Sequence, residues 1–289
     1  MKFWQAITWA ETDQLIEIAR FAEDMGFHGL MSGDHAVYPE SVVPNYPYSE
    51  SGVPPMQADD EYPDQTAIFA AMAAVTNTLL FTCGVYVLPL RNPHEVARAS
   101  ATLAILSDNR FVLGVGIGWM KEEFDIYGVD FHRRGKITDE IIEVLHKLWD
   151  GQMVEHHGAH FDFPRVQLSP APQTHPSIYV GGSSQIALRR AARVGNGYIG
   201  AGTAPDDVGP LLQRLNTLRK EYGRDHLPFE AMIGISASPS LKLYQRLAND
   251  GLESTVAPPF QYALGKKHST IDEKKQFMEY YAESIVRHF

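Results

Sequence analysis

The chain has one cysteine, Cys83, in 289 residues, so an internal disulfide is excluded. It also lacks any apolar run close to the roughly 20 residues that a membrane-spanning helix requires. Basic side chains are outnumbered, 25 against 35 acidic ones, and the formal charge of −10 disfavours nucleic acid and anionic membranes as main partners. No low-complexity tract indicates disorder. With 44% hydrophobic residues, the chain can build a large core.

The N-terminus has none of the features of a signal peptide. Residues Met1 to Ala10 form an apolar run typical of a strand, and a predicted helix follows directly. We therefore expect a cytoplasmic protein with no membrane partner.

Segments typical of strands alternate with helical periodicity along the whole chain. Eight predicted strands begin near residues 2, 29, 79, 111, 177, 197, 229 and 253, each followed by a predicted helix. Such alternation favours parallel pairing through right-handed crossovers. Eight units in this length predict an α/β fold, a single (β/α)8 TIM barrel spanning residues 1–289, with an open doubly wound sheet as the alternative.

Two segments fall outside this alternation. Residues 36–63 contain six prolines and four tyrosines without periodicity, and a loop of this length and aromatic content predicts a lid or a pocket wall. Residues 152–168 predict a hairpin inserted after the fourth βα unit. Its three histidines, His156, His157 and His160, are expected to be solvated rather than to bind a metal, because neighbours in a hairpin point to opposite faces.

The most distinctive stretch begins with the predicted strand that starts near residue 111. Gly114, Gly116 and Gly118 alternate there with larger residues. A strand that loses every second side chain is one that another group approaches closely, which suits a flat ring above the strand end. Tight packing of a helix on the sheet explains the glycines alone equally well.

The run from Gly114 to Trp149 follows the pattern GxGxGWxxEEFxxxGxxFxxRxxxxDExIxxLxxLW nearly throughout. This pattern resembles that of the luciferase-like monooxygenase superfamily, within it the branch of F420-dependent oxidoreductases. Residues 89–113 and 177–200 resemble the same family, with Ala104 and Asn109 departing from its usual Asp and Gly. The resemblance implies a luciferase-like barrel that binds coenzyme F420, a deazaflavin, or alternatively FMN.

In a TIM barrel the active residues lie at the carboxyl ends of the strands. These ends are rich in glycine here and poor in acids and bases, which suits a planar cofactor that supplies its own reactivity. With the resemblance added, the candidate cofactor-binding residues are Asp34, Gly84, Val85, Gly116, Gly118, Gly181, Gly182, Ser183, Ser184, Gly200, Gly202 and Thr203.

Two of these assignments have open alternatives in the sequence. The loop 181–184 opens a helix whose unpaired amides favour a phosphate, although an ordinary N-cap by Ser183 or Ser184 fits equally. The resemblance favours phosphate, with Arg189 and Arg190 following on the same helix. It also implies a cis peptide bond between Gly84 and Val85, where the sequence alone favours a β-bulge.

By the sequence alone, His35 fits a structural histidine at a strand end equally well. The resemblance implies that it exchanges a proton with the substrate, for which an imidazole is suited. The resemblance also implies a glutamate at position 119 in related sugar-phosphate dehydrogenases, so with Trp119 there an apolar substrate packed on this residue is expected. Glu122, Glu123 and Arg133 fit either the rim of the pocket or the surface of a helix, and surface charges are favoured.

The predicted function is therefore hydride transfer between coenzyme F420 and a small organic substrate. One alternative is an FMN-dependent monooxygenase of the same fold, supplied with reduced flavin by a flavin reductase. Another is a non-catalytic flavin-binding barrel. The resemblance also implies a homodimer.

Overall fold

Eight parallel strands close into a barrel in the computed structural model, which describes residues 1–43, 45–49 and 51–289. The strand order is β3-β2-β1-β11-β10-β9-β8-β5, and β3 also pairs with β5, so the sheet has no open edge. The (β/α)8 TIM barrel is confirmed and the open sheet is excluded. The barrel strands are β1 (Lys2–Ala6), β2 (Gly29–Ser32), β3 (Leu80–Cys83), β5 (Phe111–Gly116), β8 (Ser177–Gly181), β9 (Gly197–Thr203), β10 (Glu230–Ile235) and β11 (Ser254–Ala257).

Helices surround this barrel, because each parallel strand needs a crossover to reach the start of the next one. No helix of the described residues is long and apolar enough to cross a membrane. The α-helices are α1 (Leu15–Asp24), α2 (Gln65–Ala73), α3 (Pro93–Leu106), α4 (Lys121–Tyr127), α5 (Arg134–Trp149), α6 (Gln185–Val194), α7 (Val208–Glu221), α8 (Leu241–Asn249), α9 (Phe260–Leu264) and α10 (Ile271–Ser284).

Successive side chains of each barrel strand point alternately outward and inward, and this alternation divides the core into two layers. On β1, Phe3 packs in the layer between strands and helices, whereas Trp4 and Ala6 belong to the barrel interior. The interior is filled by side chains, so a ligand has to bind above it, at the carboxyl ends of the strands, which we call the mouth. The remaining interior residues are Val112, Tyr179, Ile199, Met232 and Val256.

The predicted hairpin insertion consists of the antiparallel strands β6 (Val154–His157) and β7 (Asp162–Val166). His157 is exposed as expected, but the prediction of a solvated His156 is wrong, and His160 is half-buried. The His156 ring is buried against Phe163, and its Nε2 lies 3.2 Å from Oε1 of Glu140. Alternation along the strand turns His156 toward α5, which the count of histidines in the sequence could not indicate.

Glu23, in the last turn of α1, anchors the chain that leads into β3. Its carboxylate accepts hydrogen bonds from the backbone amides of Asn77, Thr78 and Leu79. Burial raises the pKa of Glu23, but the bonds from Thr78, Asn77 and Leu79 outweigh burial and hold the pKa below its ordinary value. The stabilisation is therefore present at neutral pH and is lost as pH falls through the lowered pKa.

We expect Glu23→Ala to lower the free energy of unfolding by about 2 kcal/mol at neutral pH, because three amides lose a charged acceptor. Glu17→Ala is the matched control on the same helix, since Glu17 forms a surface ion pair with Lys275 and its loss should cost under about 1 kcal/mol. Urea unfolding at pH 7 and pH 4 measures both. An equal cost of Glu23→Ala at the two pH values would contradict the carboxylate's role.

Candidate functional site at the mouth of the barrel

The centre of the mouth is formed by the chain that leaves β3. The peptide bond between Gly84 and Val85 is cis, as the family resemblance implies, and the short strand β4 (Tyr86–Val87) then pairs beside β5. A Cβ atom on Gly116 would lie 2.2 Å from Cγ2 of Val85, and one on Gly181 would lie 2.4 Å from its Cγ1. Val85 is therefore seated between two glycines, half-exposed at the mouth.

The space beside the other glycines of the distinctive stretch is also occupied by atoms of the protein itself. A Cβ on Gly114 would lie 1.9 Å from the carbonyl oxygen of Cys83, and one on Gly118 would lie 2.7 Å from Val87. Gly118 also has a φ of 75°, which side chains rarely adopt. The close approach predicted at these glycines is thus made by the residues around the cis bond. Direct contact of Gly116 and Gly118 with a cofactor stays a prediction.

The close packing of Val85 against Gly116 predicts that substitutions at these two positions have coupled effects on the free energy of unfolding. We expect Gly116→Ala to destabilise the protein by about 1–3 kcal/mol, because the added methyl overlaps Val85. Adding Val85→Ala should recover part of that loss, as expected for residues in contact. Gly114→Ala is the matched control: its methyl would overlap a backbone oxygen, so Val85→Ala should not rescue it. Urea unfolding of these four variants and of the single Val85→Ala tests the contact, and additive effects at 116 and 85 would disprove it.

His35 follows β2 and is held by an acidic residue of α4. Its Nδ1 lies 2.8 Å from Oε2 of Glu123, whose other oxygen accepts the backbone amide of Ala36 at 2.9 Å. Glu123 is only 1% exposed, so its interpretation as a surface charge is wrong. Glu122, the other member of this acidic pair, accepts the amide of Val43. A carboxylate beside Nδ1 favours a proton on that nitrogen and leaves Nε2 to exchange one.

Aromatic rings surround His35. The Trp119 ring stands edge-on to His35 at 5.8 Å and to Tyr46 at 5.1 Å. Tyr62 stands edge-on to His35 at 5.2 Å, and its hydroxyl accepts a 2.6 Å hydrogen bond from the indole of Trp9. Two of these rings, Tyr46 and Tyr62, come from the loop 36–63, which therefore contributes to the wall of the mouth. A movable lid stays a prediction, and residues 44 and 50 lie outside the described residues.

Asp34, one of the predicted cofactor-binding residues, is buried. Its carboxylate accepts hydrogen bonds from the amide of Val87 at 2.9 Å and from Nη2 of Arg91 at 2.9 Å. Burial raises the pKa of Asp34, against the opposing effect of Arg91 and the Val87 amide. In this arrangement Asp34 fixes the segment after the cis bond, and direct contact with a cofactor stays a prediction.

The predicted phosphate site lies at the N-terminus of α6. Ser184 caps the helix, accepting the amide of Ala187 at 3.2 Å, so the ordinary N-cap is present. Ser183 before it is exposed, and Gly182 has a φ of 120°, which favours glycine. This cap occupies one backbone amide of the first turn, so the N-cap is compatible with an anion bound at the other amides of that turn. Tyr198 steadies the loop by donating to the Gly182 carbonyl at 3.1 Å.

The neighbouring strand β9 supplies the rim of the same region. Gly200 is buried, whereas Gly202 is exposed and would hold a Cβ without any atom within 4 Å. Thr203, half-buried, ends the strand. This open backbone leaves room for a phosphate beside the start of α6. The two arginines of α6 are turned away, Arg189 to Glu221 and Arg190 to Asp139, so they do not complete the site.

Sequence reasoning assigned no individual role in this site to Glu123, Trp9 or Tyr62, although it placed Trp9 at a strand end and predicted a pocket wall from the loop that contains Tyr62. The signal for Glu123 was its place in the first turn of a helix that directly follows a glycine-rich strand end. Trp9 has a φ of 63°, which no sequence pattern indicates.

Comparison with known proteins places this geometry in a family. The luciferase-like monooxygenase family model matches residues 4–281. An uncharacterized protein of Mycobacterium tuberculosis is 32% identical over 287 residues, covering 99% of both chains. The F420-dependent glucose-6-phosphate dehydrogenase of Microbacterium testaceum is 24% identical, covering 95% of this chain and 92% of its own.

Solved structures share the fold at low sequence identity. The monooxygenase RslO1 of Streptomyces bottropensis superposes with a TM-score of 0.79 at 17% identity, covering 100% of this chain and 99% of its own. The coenzyme F420 dependent tetrahydromethanopterin reductase of Methanopyrus kandleri gives 0.76 at 15%, with the same coverage. The family includes oxidoreductases that use deazaflavin and others that are monooxygenases. The closed barrel and the match of the family model over residues 4–281 together establish that this chain belongs to the luciferase-like monooxygenase family.

Proposed function

We propose that the protein is an oxidoreductase that transfers a hydride between coenzyme F420 and an organic, largely apolar substrate. The observation that carries this proposal is the His35–Glu123 pair, which lies at the mouth among aromatic rings. Hydride transfer to or from an oxygen-bearing carbon needs a partner that exchanges a proton, and an oriented imidazole is suited to that task. F420-dependent dehydrogenases among the sequence relatives support the choice of coenzyme.

The residues present fit a deazaflavin. Val85, half-exposed between Gly116 and Gly181, offers an apolar surface for a ring at the centre of the mouth. The exposed start of α6 around Ser183 and the open backbone at Gly202 would hold a phosphate. When bound there, a deazaflavin supplies two-electron hydride chemistry.

The protein itself supplies proton transfer, orientation and exclusion of water. Glu123 holds His35 through Nδ1, so Nε2 is the atom that takes a proton from a substrate hydroxyl or returns one to a carbonyl. Trp119 and Tyr46 pack against each other beside His35 and shield this position from solvent.

The aromatic rings around His35 favour an apolar substrate. The family resemblance implies a glutamate at position 119 for sugar-phosphate dehydrogenases, and this chain has Trp119 there. The substrate of the Microbacterium testaceum relative is therefore not the one proposed here. A flat apolar group would pack between Trp119 and Tyr62 with its reacting carbon near His35.

The second candidate is an FMN-dependent monooxygenase that receives reduced flavin from a reductase. The observation that favours it is a pyrimidine monooxygenase among the sequence relatives, 28% identical over 219 residues. Both cofactors have a ring that would pack on Val85 and a phosphate that would bind at the start of α6, so the proposed site suits either one.

Purification from a host that makes both cofactors separates the candidates. We expect the protein to retain coenzyme F420, recognised by the absorbance band that gives it its name and by mass spectrometry, and to bind it again after removal. Retention and rebinding of FMN alone would replace the proposal by the monooxygenase. Binding of neither in a direct titration would overturn both.

A further inference from the structure

Tyr62 has an unusual hydrogen-bond environment at the mouth. Its hydroxyl accepts the indole N–H of Trp9 at 2.6 Å, so one lone pair is used. Among the described residues, its own hydrogen is directed at the thioether sulfur of Met56, 3.9 Å away, which is a weak acceptor. Burial raises the pKa of Tyr62 well above its ordinary value, so the phenol keeps this proton. The result is a donor held in place by one partner and free to serve a better acceptor.

The residue that holds Tyr62 is itself in a rare conformation. Trp9 has a φ of 63°, and a bulky side chain in this left-handed region is an outlier. The conformation places its indole between Tyr62 and the ring of Tyr262, which stands edge-on at 5.6 Å. Outliers of this kind cluster at active sites and ligand clamps, where the surrounding structure maintains them. Here the strained residue orients the free donor.

Tyr62 also adjoins the proton-transfer residue. Its ring stands edge-on to His35, with centroids 5.2 Å apart and an interplanar angle of 81°. We propose that Tyr62 donates a hydrogen bond to the oxygen of an alcohol substrate, or of the corresponding carbonyl compound, on an apolar or aromatic framework, with His35 serving the same oxygen. This assignment deepens the proposed function and rests on it for the redox step.

The step balances with the deazaflavin as the two-electron partner. In the oxidative direction the O–H bond of the alcohol breaks and its proton passes to Nε2 of His35. A deazaflavin held by Val85 and the start of α6 would accept the hydride released when the C–H bond breaks and the C=O bond forms. Tyr62 keeps its own proton throughout. In the reverse direction its hydrogen bond would stabilise the negative charge that develops on the carbonyl oxygen.

A binding experiment tests the donor without any cofactor. Acetophenone and α-methylstyrene have nearly the same shape, but only acetophenone has an oxygen in place of the methylene group. We expect the wild-type protein to bind acetophenone about tenfold more tightly in ligand-observed NMR titrations. Tyr62→Phe keeps the ring against His35 and should abolish this preference, whereas Tyr280→Phe, at an exposed position on α10, should retain it.

Either a wild type without the preference or a Tyr62→Phe protein that keeps it overturns the assignment. With coenzyme F420 bound, the same variant should oxidise 1-phenylethanol with kcat/KM lowered about tenfold to a hundredfold, at unchanged cofactor affinity. If coenzyme F420 did not bind, the proposed function would be wrong, but the result of the acetophenone titration would still be valid. An unaltered kcat/KM in Tyr62→Phe would remove the catalytic part of the assignment.

Discussion

His35→Ala is expected to lower turnover with coenzyme F420 about 100-fold or more and to leave the dissociation constant of the coenzyme within about twofold. The imidazole exchanges the proton in the reaction, a contribution that commonly amounts to about 10²–10⁴ in rate. It contributes nothing to holding the ring or the phosphate, which lie on Val85 and α6 in our proposal. Steady-state kinetics and a fluorescence titration of the coenzyme measure the two quantities separately.

Two further variants define what the imidazole does. Glu123→Gln preserves the size of the side chain but removes its charge, so His35 is less firmly oriented and turnover should fall about tenfold or more. His226→Ala is the matched control, because His226 is exposed and remote from the mouth, and it should be without effect. Unchanged turnover in His35→Ala would remove its proposed role, whatever the outcome at Glu123.

Ser183→Asp is expected to weaken coenzyme binding about tenfold to a hundredfold. A carboxylate placed at the start of α6 would repel the phosphate proposed to bind there, by a few kcal/mol at short range and intermediate dielectric. An acidic residue at a helix N-terminus is favourable for the helix itself, so the fold should be retained. Isothermal titration of the coenzyme and a thermal melt measure these two effects.

Ser240→Asp is the matched control for this substitution. Ser240 is an exposed serine that caps α8, so it adds the same charge at another helix start. Its coenzyme affinity should equal that of the wild type. An aspartate at Gly182 would be a poorer test, because the φ of 120° there strains any side chain and its Cβ would lie 3.0 Å from Ala187. Equal affinities of Ser183→Asp and Ser240→Asp would place the phosphate elsewhere.

The architecture was predictable from the sequence because it depends on repeated patterns. Eight apolar strands alternate with amphipathic helices, an order that favours a parallel sheet of eight strands at this length. The pairing of β3 with β5 in the structure then decides for the closed barrel over the open sheet. The hairpin at 152–168 was predictable for the same reason. α9 was missed, since five residues with Tyr262 at their centre give no periodicity.

The site was predictable only in part. Strand ends and the family motif located Val85, His35 and the start of α6, because these positions follow from topology. The role of Glu123 depends on which face of a seven-residue helix meets the mouth, and two adjacent glutamates are equally typical of a solvated surface. Tyr62 lies in an aperiodic loop, where the sequence gives no register from which to derive a neighbour.

The bidentate use of Glu123 has a kinetic consequence. One carboxylate group binds both the imidazole of His35 and the peptide nitrogen of Ala36, where the loop 36–63 departs from the barrel. A displacement of that departure point large enough to admit a reactant would therefore also disturb the angle of the imidazole. A lid motion of the loop 36–63, as predicted from the sequence, would therefore separate the entry of a reactant from readiness for proton exchange, and the rate of closing would limit turnover.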